Sequence, residues 1–124
     1  MSASAEGLLS YVDASPSPFH CVEESRRLLL EAGFSALDER SDWGALEAGD
    51  RRFVERAGTL VAWIVGRTPP AEAGFRIVGA HTDSPNLRLK PQAESSVEGY
   101  RQWGVEVYGG VLLHTWFDCD LGLS

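Results

Sequence analysis

The apolar residues in the first part of the chain recur at intervals of three and four, which is the spacing of amphipathic helices. A short first helix is predicted to carry Leu8, Leu9 and Val12 on one face and to end in the turn-rich segment 14–18. The second helix carries Cys21, Ser25, Leu28, Leu29 and Ala32 on one face. Its expected N-cap is Ser17, followed by Pro18 at the first helical position, and Gly33 ends it.

From Phe34 onward the apolar residues form short runs instead, which are typical of strands. Residues 51–56 and 59–65 predict two strands joined by a hairpin turn at Ala57-Gly58. The run 59–65 is apolar throughout, so we expect it to be buried on both faces. Residues 66–74 predict a surface loop, and residues 75–80 predict a second buried strand.

The last third of the chain gives weaker signals. Residues 92–99 are polar and favour a turn, while residues 105–108 and 111–117 predict strands on either side of a bend at Gly109-Gly110. No closing helix, cap or polar tail follows. We therefore expect the chain to be the first part of a larger architecture.

Composition limits the classes of function. At 124 residues the chain has room for one compact domain, and its 44% hydrophobic content fits a folded, soluble protein. The formal charge of −7 and a single lysine, Lys90, argue against a nucleic-acid partner, because phosphate binding needs clustered cations.

Targeting segments and the number of cysteines indicate the cellular compartment in which the protein is expected. No apolar run approaches the length of a membrane span, and the first residues do not resemble a signal peptide. The two cysteines, Cys21 and Cys119, are too few for a disulfide scaffold or a thiolate zinc site. We therefore expect a cytoplasmic protein without a membrane partner.

One of the three histidines, His81, stands where the predicted strand 75–80 ends. In open α/β sheets, ligands collect beyond the carboxyl ends of strands, and neutral imidazole is a common zinc ligand. Asp83 follows two residues later, close enough to hold the other ring nitrogen, and Ser84-Pro85 would fix the turn. His81 is therefore a candidate metal ligand, and Asp83 a candidate orienting group.

The spacing alone leaves other interpretations open. A His-x-Asp triplet occurs often by chance, and a histidine at a strand end is often only hydrogen-bonded structure. Ser84 is a weaker candidate nucleophile, because it lacks the flanking glycines of a nucleophile elbow and Pro85 follows it. Gly109-Gly110 is better explained as a bend than as a phosphate loop, because no Lys-Ser/Thr pair follows.

Three segments, in order along the chain, carry a family resemblance. The string GAHTDSP at residues 79–85, continued by Leu87, Leu89, Lys90 and Pro91, closely resembles the first metal-binding segment of the aspartyl aminopeptidases, which are di-zinc exopeptidases. The string SPSPFH at residues 15–20 resembles their N-terminal signature. Residues 108–118 resemble the segment that leads into an inserted domain of that family.

The resemblance implies a zinc-peptidase-type α/β fold whose catalytic domain is interrupted by a β-rich domain used in dimerisation. Residues 1–98 would be the N-terminal part of the catalytic domain, and residues 99–124 the start of the inserted domain. By the same resemblance His81 would ligate one of two zinc ions, Asp83 would orient it, and the enzyme would remove N-terminal, typically acidic, residues from peptides as a homo-oligomer. The other ligands and the general-base glutamate are expected beyond Ser124.

One departure keeps an alternative open. Cys119, between Asp118 and Asp120, stands where the family usually has an arginine. A non-catalytic fragment or pseudo-enzyme that acts only by association is therefore the second hypothesis. An unrelated metal hydrolase or esterase that uses His81 and Asp83 differently is the third, which the other two matched segments make a poor fit.

Overall fold

The computed structural model describes residues 4–123, and their contacts divide the chain into two compact units whose boundary falls between Asp83 and Ser84. The first unit contains α1 (Ala5–Asp13), α2 (Pro18–Glu31), β1 (Ser35–Ala36), β2 (Arg51–Arg56), β3 (Thr59–Ile64) and the single turn α3 (Pro70–Ala73). The second contains β4 (Asn86–Val97), β5 (Tyr100–Tyr108) and a 3-10 turn at Leu113–Thr115.

The first helix ends, and the second begins and ends, where the sequence predicts, whereas no start was predicted for the first. The Ser4 hydroxyl accepts from the Gly7 amide at 3.0 Å and caps α1. The Ser17 side chain caps α2, with Pro18 as the first helical residue. After α2 the chain reverses at Gly33, whose φ of 80° is the left-handed conformation that glycine adopts at little cost.

A three-stranded sheet lies against the second helix. β1 pairs in parallel with β2, and β2 pairs antiparallel with β3 through the predicted turn at Ala57-Gly58. α2 lies against β3, and the core of this unit is small. Its buried apolar side chains, among the described residues, are Phe53 of β2, which has no exposed surface, and Val22 of α2, which is 5% exposed. The helix and the sheet each contribute one buried side chain to this core.

Two predictions for the first unit are wrong. Residues 75–80 form no strand, and their apolar side chains are exposed, with Val78 at 99%. β3 forms as predicted but is not buried on both faces, because Val61 and Ile64 are more than half exposed. An apolar run is buried only if a neighbour covers it, and no strand among residues 4–123 pairs with residues 75–80 or with the open edge of β3. The predicted loop 66–74 also contains the short helix α3.

The second unit is built on one antiparallel hairpin. β4 and β5 pair from Asn86↔Tyr108 to Val97↔Tyr100, with an irregularity between Leu89 and Glu94. Glu98 and Gly99 form its tip with positive φ angles of 51° and 81°, as tight hairpin turns require.

Two further predictions fail in this unit, and the inserted-domain boundary stays a prediction. Residues 92–97 belong to β4 rather than to a turn, and residues 111–117 form a 3-10 turn and bends rather than a strand. Residues 92–97 are largely polar and exposed, so they carry no alternation of apolar and polar positions that would indicate a strand. The predicted boundary at residues 98–99 coincides with the hairpin tip.

Candidate metal centre

His81 and Asp83 lie together in the irregular segment that follows residue 80. The His81 Nδ1 atom lies 2.6 Å from the backbone carbonyl oxygen of Asp83 and 3.3 Å from its carboxylate Oδ1. A carbonyl oxygen only accepts hydrogen bonds, so Nδ1 must carry the proton. In the neutral imidazole the lone pair then resides on Nε2, which is the arrangement of a metal-ligating histidine. The His81 side chain is 81% exposed, so Nε2 is accessible.

Thr82, between these two residues, faces the body of the first unit. Its hydroxyl donates a 2.8 Å hydrogen bond to the carbonyl of Gly58, at the turn between β2 and β3. Gly58 in turn lies near Pro18, because a Cβ atom built on Gly58 would be 3.5 Å from the Pro18 Cβ atom. The motif, the hairpin turn and the start of α2 are therefore linked. Nothing in the sequence indicated the Thr82 contact, because its partner lies 24 positions away.

The other histidines lie on other elements of the chain. The His20 Nδ1 atom lies 2.7 Å from the Ser17 hydroxyl, at the cap of α2. His114 lies on the 3-10 turn of the second unit. Within residues 4–123 no three His, Cys, Asp or Glu side chains converge so as to hold a metal ion. The assignment of His81 as a metal ligand therefore stays a prediction, with the accessible Nε2 atom as its candidate donor.

Tyr11, Cys21 and Ser25 form a second polar cluster, which the sequence did not predict. The Tyr11 hydroxyl lies 2.9 Å from the Cys21 sulfur and 2.8 Å from the Ser25 hydroxyl, and so joins α1 to α2. Burial raises the pKa of Tyr11, and its hydrogen bond with Cys21 raises it further. The helical spacing had placed Cys21 and Ser25 on one face, but it gave no indication that Tyr11 would meet them.

The two cysteines are free thiols. Cys119 is exposed, and its sulfur lies 3.5 Å from the carbonyl oxygen of Trp116. Among the described residues no helix combines the length and the apolar character needed to cross a bilayer.

Comparison with solved structures shows the class of fold to which the chain belongs. The chain superposes on one chain of the cryo-EM structure of the Ape4 and Nbr1 complex, with a TM-score of 0.85 and 44% identity over 92% of this chain and 22% of the other. It also superposes on yeast aminopeptidase 1 (Ape1), with a TM-score of 0.82 and 33% identity over 92% of this chain and 27% of the other. The fold is thus the N-terminal part of the mixed α/β fold of these aminopeptidases.

The family follows from the sequence. The family of aminopeptidase I zinc metalloproteases (M18) matches residues 11–124, and this chain belongs to that family. It is 52% identical over 120 residues to a probable M18 family aminopeptidase 2 of Stutzerimonas stutzeri, and 47% identical over 119 residues to one of Streptomyces avermitilis. These matches cover 96% of this chain but only 28% and 27% of the relatives. The resemblance to the aspartyl aminopeptidase family is therefore confirmed.

Proposed function

We propose that this sequence supplies the N-terminal part of a zinc aminopeptidase that hydrolyses peptides, with His81 as one of its metal ligands. The observation that supports this role is the direction of the imidazole. Its Nδ1 atom is held by Asp83, which leaves the Nε2 lone pair accessible at the exposed end of the motif. Membership of a zinc metalloprotease family supports zinc as the metal that His81 would bind.

His81 would bind one zinc ion, and Asp83 would hold the His81 ring in the orientation that binding needs. His81 donates the ligating nitrogen, while Asp83 fixes the tautomer through its carbonyl and adds a negative charge through its carboxylate. When bound, zinc polarises a scissile carbonyl and lowers the pKa of a water molecule. We further propose two zinc ions, with the remaining ligands and the general base supplied by parts of the family architecture that lie outside these 124 residues.

The wider properties of the enzyme are proposals as well. We propose that it removes acidic N-terminal residues, that it acts in the cytoplasm, and that residues 99–124 begin an inserted β-rich domain. We also propose a homo-oligomer, which is supported by a related structure, the mApe1 dodecamer. The free thiols of Cys21 and Cys119 are compatible with a reducing compartment.

Metal analysis of the full-length gene product tests the ligand assignment. His81→Ala should lose about one zinc ion per chain and most peptide turnover, because it removes a ligand outright. Asp83→Asn should be milder, weakening zinc binding by about tenfold or less, because the shorter contact to Nδ1 uses the backbone carbonyl, which the substitution retains. His114→Ala is the matched control and should keep zinc and turnover. Unchanged zinc and turnover in His81→Ala would exclude His81 as a ligand.

An association module without catalysis is the second candidate. The observation that favours it is the apolar surface of the chain, including Phe75, Ile77 and Val78 in the first unit and Trp103 in the second. Zinc-dependent turnover by the full-length gene product decides between the two. A product that binds no zinc and cleaves no N-terminal residue, yet still assembles, would support the association module.

A further inference from the structure

Thr82 separates the two residues of the candidate metal centre and faces away from them. Its hydroxyl donates to the Gly58 carbonyl at 2.8 Å, whereas the His81 ring is turned toward Asp83. Thr82 is half-buried while His81 is exposed. The motif therefore has one side chain fixed to the fold beneath it and one presented to solvent.

The acceptor of this bond belongs to the turn between two fully paired strands of the first unit. Gly58 lies in the turn that joins two strands paired along their whole length, from Arg51↔Ile64 to Arg56↔Thr59. The turn also lies close to Pro18, the first residue of α2. The Gly58 carbonyl thus belongs to a turn whose position is fixed by the pairing of β2 with β3.

The segment that leads into the motif has no comparable support. Residues 75–80 form neither helix nor strand in the described structure, and their apolar side chains are exposed. The position of the His81 backbone is therefore constrained by the contacts of the motif itself. A side-chain hydrogen bond from the next residue in the chain restricts the backbone on both sides of it.

From this geometry we infer that Thr82 is a positioning residue: its bond to the Gly58 carbonyl sets the direction in which His81 presents Nε2 to zinc. The inference rests on the proposed role of His81. It requires that the hydroxyl of Thr82 affect zinc affinity and coordination geometry more than it affects folding.

The experiment compares Thr82→Val, which keeps the shape but loses the donor, with Thr82→Ser, which keeps the donor. Thr115→Val is the matched control, because the Thr115 hydroxyl makes a bond of the same 2.8 Å length to a backbone carbonyl, that of Leu112. The zinc dissociation constant of the full-length gene product is measured by competition with a chelator. The visible spectrum of the cobalt-substituted protein at saturation reports the coordination geometry, and the melting temperature of the zinc-free protein reports folding.

We expect Thr82→Val to weaken zinc binding on the order of tenfold and to alter the cobalt spectrum, as loss of an outer support of a ligand typically does. Thr82→Ser should stay within about threefold of the wild type, because it retains the donor. Thr115→Val should change neither zinc affinity nor the cobalt spectrum.

Two results would overturn the inference. One is wild-type zinc affinity and an unchanged cobalt spectrum in Thr82→Val. The other is a Thr82→Val protein that unfolds, or whose zinc-free melting temperature falls so far that lost folding accounts for the lost zinc. The hydrogen bond from Thr82 to Gly58 would then contribute only to folding stability. His81→Ala, measured in the same series, separates the two proposals. If it loses zinc while Thr82→Val does not, only the positioning role fails; if it retains zinc, the ligand assignment itself fails.

Discussion

The exposed apolar segment at residues 75–78 should make the 124-residue chain self-associate through this segment. Phe75, Ile77 and Val78 are 77%, 85% and 99% exposed. Burying one such side chain contributes about 1.5–3 kcal/mol, so two copies that cover each other's segment would gain roughly 9–18 kcal/mol. Association itself costs about 4–15 kcal/mol. A surplus on the order of 5 kcal/mol corresponds to a dissociation constant of about 0.2 mM.

Sedimentation velocity from about 0.02 mM to about 1 mM, which brackets that constant, measures the association. The double variant Ile77→Lys, Val78→Lys removes two of the three side chains and adds like charges to both copies, so it should stay monomeric over this range. Ser95→Lys, Ser96→Lys adds the same charge to exposed polar positions of β4 and is the matched control. A wild-type chain that remains monomeric throughout, or a double variant that associates as strongly as the control, would refute the reasoning.

Two further predictions concern the helices and the metal. Because burial raises the pKa of Tyr11 above its ordinary 10.0, its contribution to stability is present below pH 10 and is lost as the pH rises through the folded-state value. Tyr11→Phe should therefore lower the free energy of unfolding, measured by urea unfolding, by about 1–2 kcal/mol at pH 7 and by less above pH 10. Tyr100→Phe, at an exposed position, is the control. An equal loss at both pH values would contradict this prediction. The isolated residues 1–124 should bind zinc more weakly than about 1 µM and hydrolyse no peptide, because a catalytic zinc needs three protein ligands; tight zinc binding with aminopeptidase turnover would contradict this.

Local interactions explain what could be predicted from the sequence. Ser17 and Pro18 begin α2, and Gly33 follows its end, because capping and φ preferences act within a few residues. The turn at Ala57-Gly58 joins β2 to β3 for the same reason. The motif at residues 79–85 could be matched to a family because its chemistry is carried by adjacent residues. It predicted that His81 and Asp83 would pair, and the structure places them together.

The tertiary structure alone decided which contacts form between distant residues. The bond from Thr82 to Gly58 and the meeting of Tyr11 with Cys21 and Ser25 join elements whose separation along the chain carries no local signal. Burial was decided in the same way. The sequence showed that residues 59–65 and 75–80 are apolar, but an apolar run leaves water only where a second surface covers it, and among residues 4–123 no paired strand does so for residues 75–80. Hydrophobicity is a property of the residue, whereas burial is a property of its neighbours.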